Sequence, residues 1–155
     1  EPLIDWAKAS QSPWGVLLLF GGGICLARAF VASGLSAQVG DALTAVAALP
    51  VFAMMLLLAL AVTFLTEATS NTATTALLMP LLAAVALAVE IDPLWLMVPA
   101  AMSASCAFML PVATAPNAVV FGSGELPIRR MVREGFALNL IGALLIATVA
   151  WVLLT

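Results

Sequence analysis

The stretch from Thr66 to Thr75, TEATSNTATT, interrupts an otherwise apolar run that extends from Pro50 to Val89. Turns at a membrane surface are usually built from Gly, Pro, Lys or Arg. This one has small hydroxyl and amide side chains and a single acid, Glu67, with apolar residues on both sides. Two apolar arms joined this way read as a helical hairpin over 50–89 whose tip is buried in protein. A second interruption lies at Pro111 to Asn117, PVATAPN, where two prolines remove backbone donors and end the apolar segment that starts at residue 94. The chain resumes at Ala118 to Phe121, before GSGELP at 122–127. That second half is too short to cross a bilayer, so one helix broken near mid-membrane is expected over 94–122.

Composition sets the surroundings of both interruptions. Of 155 residues, 65% are hydrophobic and 8% charged, with a mean hydropathy of +1.21. A soluble domain of this size buries only about two thirds of its surface, and five basic and eight acidic residues cannot cover the remainder. The expected fold is therefore an all-α membrane protein, integral and multi-pass, with lipid covering its outside. A net charge of −3 without a basic run gives no support to nucleic-acid binding or a polybasic lipid patch. The two cysteines, Cys25 and Cys106, lie in apolar segments in a chain without histidine, which favours packing over a zinc site or a disulfide. With no metal cluster or nucleophile–base pair in view, an enzyme is the least supported class.

Outward from the hairpin, residues 14–33 have the length of a span, and Gly21, Gly22 and Gly23 give it a smooth face for close helix packing. Between 35 and 49, Leu35, Val39, Leu43, Val46 and Leu49 recur at helical spacing with Gln38, Asp41 and Thr44 between them. This pattern predicts a helix lying in the interface, with a tilted span as the alternative. Glu90-Ile91-Asp92-Pro93 reads as a charged surface turn with Asp92 as a helix cap. Arg129, Arg130 and Arg133 precede the last apolar stretch, 136–154, and are expected on the cytoplasmic side. Both hairpin arms then enter from the outer face. No initiator Met or signal peptide precedes the first apolar stretch, so the chain reads as starting within a longer protein.

Irregular backbone survives at membrane depth only where it lines a cavity or meets a ligand. Each interruption holds a hydroxyl residue with an asparagine close by: Ser70-Asn71-Thr72 and Thr114-Ala115-Pro116-Asn117. Free carbonyls at helix C-termini, with Thr, Ser and Asn oxygens, suit a hard monovalent cation such as Na⁺. Helix N-termini suit a carboxylate. Neither patch has Lys or Arg nearby, so a bound anion would depend on helix dipoles, neutral donors and bound cations. The bland readings stand beside these. Hydroxyls in membrane helices bond back to the preceding turn, and Asn bridges helices for packing alone. Glu67 is a functional candidate at membrane depth, a structural acceptor near the tip, or a protonated acid. Asn139 and the methionines read as packing residues.

Thr66-Glu67 to Thr72 with the downstream Pro80, WGVLLLFGGG at 14–23, and PVATAPNAVVFGSG at 111–124 resemble the second half of the divalent anion:sodium symporters, the family that includes the INDY-type dicarboxylate carriers. The likeness covers essentially the whole chain, yet only about the last third of a family member, which has two inverted repeats. The resemblance implies the second inverted repeat of an elevator-type carrier, working as a homodimer in a membrane that is expected to be a bacterial plasma membrane. It implies that 1–49 are the last scaffold helix and its connecting arm, and that 50–155 are transport-domain parts: a re-entrant hairpin at 50–89, an unwound helix at 94–122 and a final helix at 131–154. It also implies that Ser70, Asn71, Thr72 and Thr114 contact a dicarboxylate. Sodium would be held by the Asn71 side chain and by carbonyls at Thr66, Thr69, Ala113 and Ala115. The family often has two prolines before the second asparagine, and Ala115 stands here in place of the first.

The implied activity is sodium-coupled transport of a dicarboxylate or related divalent anion, with the missing N-terminal repeat completing the site. The alternatives are a carrier of another oxyanion, a proton-coupled relative, or a non-transporting membrane scaffold subunit.

Overall fold

A computed structural model describes residues 5–10, 14–35, 38 and 49–155. Its helices, in chain order, are α1 (Trp6–Ala9), α2 (Trp14–Ala32), α3 (Val51–Thr66), α4 (Asn71–Ala88), α5 (Leu94–Ser103), α6 (Ala115–Gly122) and α7 (Ile128–Leu154). No strand occurs among the described residues. Most of the amphipathic arm expected over 35–49 lies outside the described residues.

The expected helical hairpin is present as α3 and α4, joined by four residues, 67–70, but its tip is not buried within this chain, since Ala68, Thr69 and Ser70 are exposed where they face the cavity described below. α3 is apolar on every side, and α7 runs antiparallel to it through a seam of small residues. Ala59 meets Ala143 and Ile146, and Met55 meets Ala147 and Ala150. Small side chains let helix backbones approach closely where lipid removes the hydrophobic drive for association. α5 fills the other side of α3, where Val62 packs on Ala100 and Ala104. Met54, Val85, Ala86 and Leu96 close the end of the core. Two described helices, α4 and α7, are long and apolar enough to cross a bilayer. α7 keeps large apolar side chains exposed, among them Leu145, Val152 and Leu153.

α2 lies against α4 at its glycine face, as expected, but only one of the three glycines makes the contact. A Cβ on Gly23 would sit 2.7 Å from the Ala76 carbonyl oxygen, whereas Gly21 and Gly22 have open space beside them. Pro80 lies inside α4 one turn after Ala76 and has no N–H to offer that carbonyl.

The turn at 90–93 forms as expected, although the cap position itself falls on Pro93 and Asp92 supports the helix start from one residue further back. Glu90 takes φ 57°, the Ile91 amide donates back to the Ala86 carbonyl (3.0 Å), and Asp92 Oδ1 accepts the Leu94 amide (2.9 Å). The last helix begins at Ile128 instead of 131. Pro127, with φ −67°, is already set for a helix start, and its carbonyl accepts the Arg130 and Met131 amides. The broken helix departs further from expectation. α5 stops at Ser103, well before Pro111, and 104–114 have no helix. The prolines do not cause this early break. Side chains described below do.

Candidate functional site

The two interruptions line one cavity of about 680 Å³, formed by residues 67–72 of the hairpin tip and 112–116 of the loop before α6. The same local chemistry builds both walls. α4 starts at Asn71, and the Ser70 hydroxyl caps it by accepting the Ala73 amide (3.5 Å). α6 starts at Ala115 with Pro116 in its first turn, and the Thr114 hydroxyl accepts the Asn117 amide (3.3 Å). Both caps have extended backbone, with ψ 130° and 155°. Two helix N-termini thus open on one space, each carrying partial positive charge and unsatisfied amides. None of the residues lining it is basic.

The tip is tied internally by hydroxyls. Thr69 Oγ1 donates to the Leu65 carbonyl (2.9 Å) and lies 2.6 Å from Thr74 Oγ1. Thr66 Oγ1 is 2.7 Å from the Asn71 side-chain oxygen as placed and 2.8 Å from the Ala104 carbonyl. Both contacts are acceptors, and a hydroxyl has one proton. Both are satisfied together when the Asn71 amide is turned, so that Nδ2 donates to Thr66 Oγ1 and Oδ1 is free for a ligand.

Glu67, at 5% exposure, organises the opposite wall. Its Oε1 accepts the amides of Phe108 (2.7 Å) and Met109 (2.8 Å), and its Oε2 accepts that of Leu110 (3.0 Å). Asn139 Nδ2 of α7 donates to Oε1 as well (2.8 Å). Three consecutive amides that would otherwise continue α5 are taken by one carboxyl group, which is why the helix ends where it does. The freed carbonyls are also claimed. Asn117 Nδ2 donates to those of Ala107 (2.9 Å) and Leu110 (3.0 Å). Gly135 of α7 lets the loop approach closely, since a Cβ there would overlap the Phe108 carbonyl and lie 2.7 Å from Met109 Cα.

Of the residues singled out in the sequence, Thr69, Ser70, Asn71, Thr72, Ala113, Thr114 and Ala115 all line the cavity. Thr66 does not. It is fully buried behind the tip, and its carbonyl accepts the Thr69 amide at 3.3 Å. Of the readings open for Glu67, the structural acceptor matches the geometry, and the four groups that meet its oxygens are all donors.

Residues 1–155 match the family described as the sodium:sulfate symporter transmembrane region. The chain belongs to this family. It is similar to the sodium-dependent dicarboxylate transporter SdcS of Staphylococcus saprophyticus, with 47% identity over 151 residues, 97% of this chain and 29% of that protein. SdcS of Staphylococcus aureus strain USA300 is 46% identical over 149 residues, 96% of this chain and 29% of its own length. The chain therefore spans less than a third of the curated relatives it matches. As a member of this family it is an integral, multi-pass membrane protein, and the family and these relatives are named as symporters and transporters, not as enzymes.

Within this symporter-family chain, sequence reasoning missed three residues that shape the site. Asn139 was read as packing, although a lone amide in the apolar stretch 136–154 requires a polar partner. Asn117 was paired with Thr114 as a source of cation-binding oxygen, whereas its Nδ2 holds the Ala107 and Leu110 carbonyls. Gly135 had none, because its use depends on which loop lies across α7.

Proposed function

We propose that this chain supplies one half of the ion and anion site of a sodium-coupled carrier of dicarboxylates, as part of a longer protein. The observation that carries the reading is the shared cavity of the two capped helix N-termini, with no basic residue in its lining. An anion there meets helix dipoles, the hydroxyls of Ser70, Thr72 and Thr114, and the amide of Asn71. Its remaining charge calls for cations that enter with it. The names of the relatives agree with this chemistry.

Sodium is cargo in this scheme. The turned Asn71 amide offers Oδ1, and the carbonyls of Thr69 and Ala113 precede the two capping residues in matching positions. The Ala115 carbonyl completes the proposed set despite the missing proline, and Thr66, buried behind the tip, steadies Asn71 through its hydroxyl in place of the carbonyl contact expected from the sequence. Such neutral, hard oxygens suit an alkali ion. Glu67 positions the loop that carries Ala113 and Thr114 and does not itself bind substrate. Two capped N-termini side by side suit a ligand with two separated carboxylates better than a single compact oxyanion.

The larger architecture we propose is supported by the family resemblance and by the greater length of the relatives. In this reading α3 and α4 form a re-entrant hairpin, and α2 belongs to a scaffold. An inverted N-terminal repeat supplies the other half-site, and two copies form an elevator-type homodimer.

The test is uptake of a labelled C4 dicarboxylate by the full-length carrier in proteoliposomes, with sodium replaced by choline. Uptake should collapse in choline, and excess unlabelled dicarboxylate should compete better than sulfate. Thr114→Val should raise the substrate KM roughly tenfold, one lost hydrogen bond of about 1.4 kcal/mol. Equal uptake in choline would refute the sodium coupling.

A further inference from the structure

Among the described residues, three buried side-chain oxygens have no hydrogen-bond partner: Thr63 Oγ1, Ser103 Oγ and Asn139 Oδ1. All three residues are 0% exposed. Enclosed by the chain's own helices, they can be paired only by a small species held within the fold. A buried polar atom left unpaired costs about 1–3 kcal/mol, and folded proteins leave few of them.

The three come from three helices and converge on one seam. Thr63 is one turn before Glu67 on α3 and shares its face, and Glu67 Oε1 is 2.8 Å from Asn139 Nδ2 on α7. Ser103 ends α5 directly before two anchored residues. Ala104 packs on Val62 and accepts Thr66 Oγ1 at its carbonyl. Two residues further on, Cys106 packs against the cluster of Ala59 and Ala143. The chain around Ser103 therefore meets α3 both one turn below and one turn above Thr63, at the junction of α3, α5 and α7.

The polarity of this seam is set by Glu67. Its carboxyl group holds the Nδ2 end of Asn139, so the amide turns its negative end, Oδ1, the other way. Glu67 meets amide donors only, and no cationic side chain is among its partners. A water molecule would gain hydrogen bonds here. A cation gains the same oxygens and also the field of a buried acid that lacks a counter-charge. Divalent ions demand more oxygens and usually several carboxylates, which leaves a monovalent ion.

We propose that Thr63, Ser103 and Asn139 form a second cation site, for sodium, behind the hairpin tip and separate from the cavity at Asn71. The proposal rests on the sodium-coupled reading above. Glu67 forms the common wall, since it lines the cavity on one side and holds Asn139 on the other. An ion in the seam fixes Asn139, and through it the carboxyl group that shapes the loop.

The test uses the full-length carrier with Thr63→Val, Ser103→Ala and both together, changes that keep volume and leave the tip and Glu67 intact. Purified protein is titrated with sodium chloride against choline chloride, without dicarboxylate, while its melting temperature is followed. The flux ratio of radiosodium to labelled dicarboxylate is measured in proteoliposomes. We expect the double variant to need roughly tenfold more sodium for full thermal stabilisation, about 1.4 kcal/mol of lost binding, and to carry less sodium per anion. Thr63→Ser, which keeps the hydroxyl, should restore both readouts, and it does so even if the larger changes impair folding. A double variant with wild-type sodium titration and flux ratio overturns the seam site and means that it holds only water. Sodium-independent uptake by the wild type would instead sink the underlying carrier reading, so the two failures are separable.

Discussion

Replacing Glu67 with Gln tests the argument that one carboxyl group holds the loop open. In the wild type three donors converge on Oε1 and one on Oε2. Hydrogen bonds to a charged acceptor exceed neutral ones by about 1 kcal/mol each. Gln keeps one oxygen for the amides of Phe108 and Met109 and for Asn139, losing about 3 kcal/mol across the three. Its Nε2 then faces the Leu110 amide, donor against donor, which adds about 1–3 kcal/mol. The total, about 4–6 kcal/mol, compares with the 5–15 kcal/mol that stabilises a typical domain. Thermal unfolding of the full-length carrier in detergent should therefore drop by roughly 10 °C or more. Sodium dependence of uptake should weaken together with stability, because the loop carrying Ala113 and Thr114 is no longer held. Glu67→Asp, which keeps the charge on a shorter stem, should fall between the two. A Gln variant that melts within a degree of wild type with unchanged sodium dependence would refute the clamp.

Gly135→Ala places a methyl group against the Phe108 carbonyl and Met109 Cα, where backbone cannot yield. A loss of about 1–3 kcal/mol is expected, with Gly142→Ala, whose added carbon meets nothing, as the thermal-unfolding control that should hold or gain stability. Glu90→Gly relieves the left-handed backbone at φ 57° and should stabilise the protein by about 1 kcal/mol. A melting temperature that stays level or falls would show that the turn is not strained.

The hairpin was legible because its arms and its tip differ so sharply in polarity. Pro50 and the start of the TEATSNTATT run place both ends of α3 to within a residue, and Val89 places the end of α4, whereas α4 begins at Asn71, inside the polar run. The two site patches were legible by composition, a hydroxyl beside an asparagine inside apolar sequence, whereas the capping roles of Ser70 and Thr114 emerge only once the helix starts are known. The early end of α5 could not be read in the same way. Residues 104–110, ASCAFML, carry no breaker, and what unwinds them is an acid about forty positions earlier in the chain. Propensity is local, whereas this competition for amides is tertiary. Asn139 was hidden for a related reason, because an amide that bridges to a distant acid looks the same in sequence as one that only fills space.

The meeting of Gly23 with the Ala76 carbonyl beside Pro80 has a mechanical side. Where helices interlock through side chains, sliding one along the other means lifting each knob out of its hole. At this crossing a residue without a side chain rests on a main-chain carbonyl, so a small axial shift has no knob to lift there. A single methyl group at position 23 would put a stop on that track.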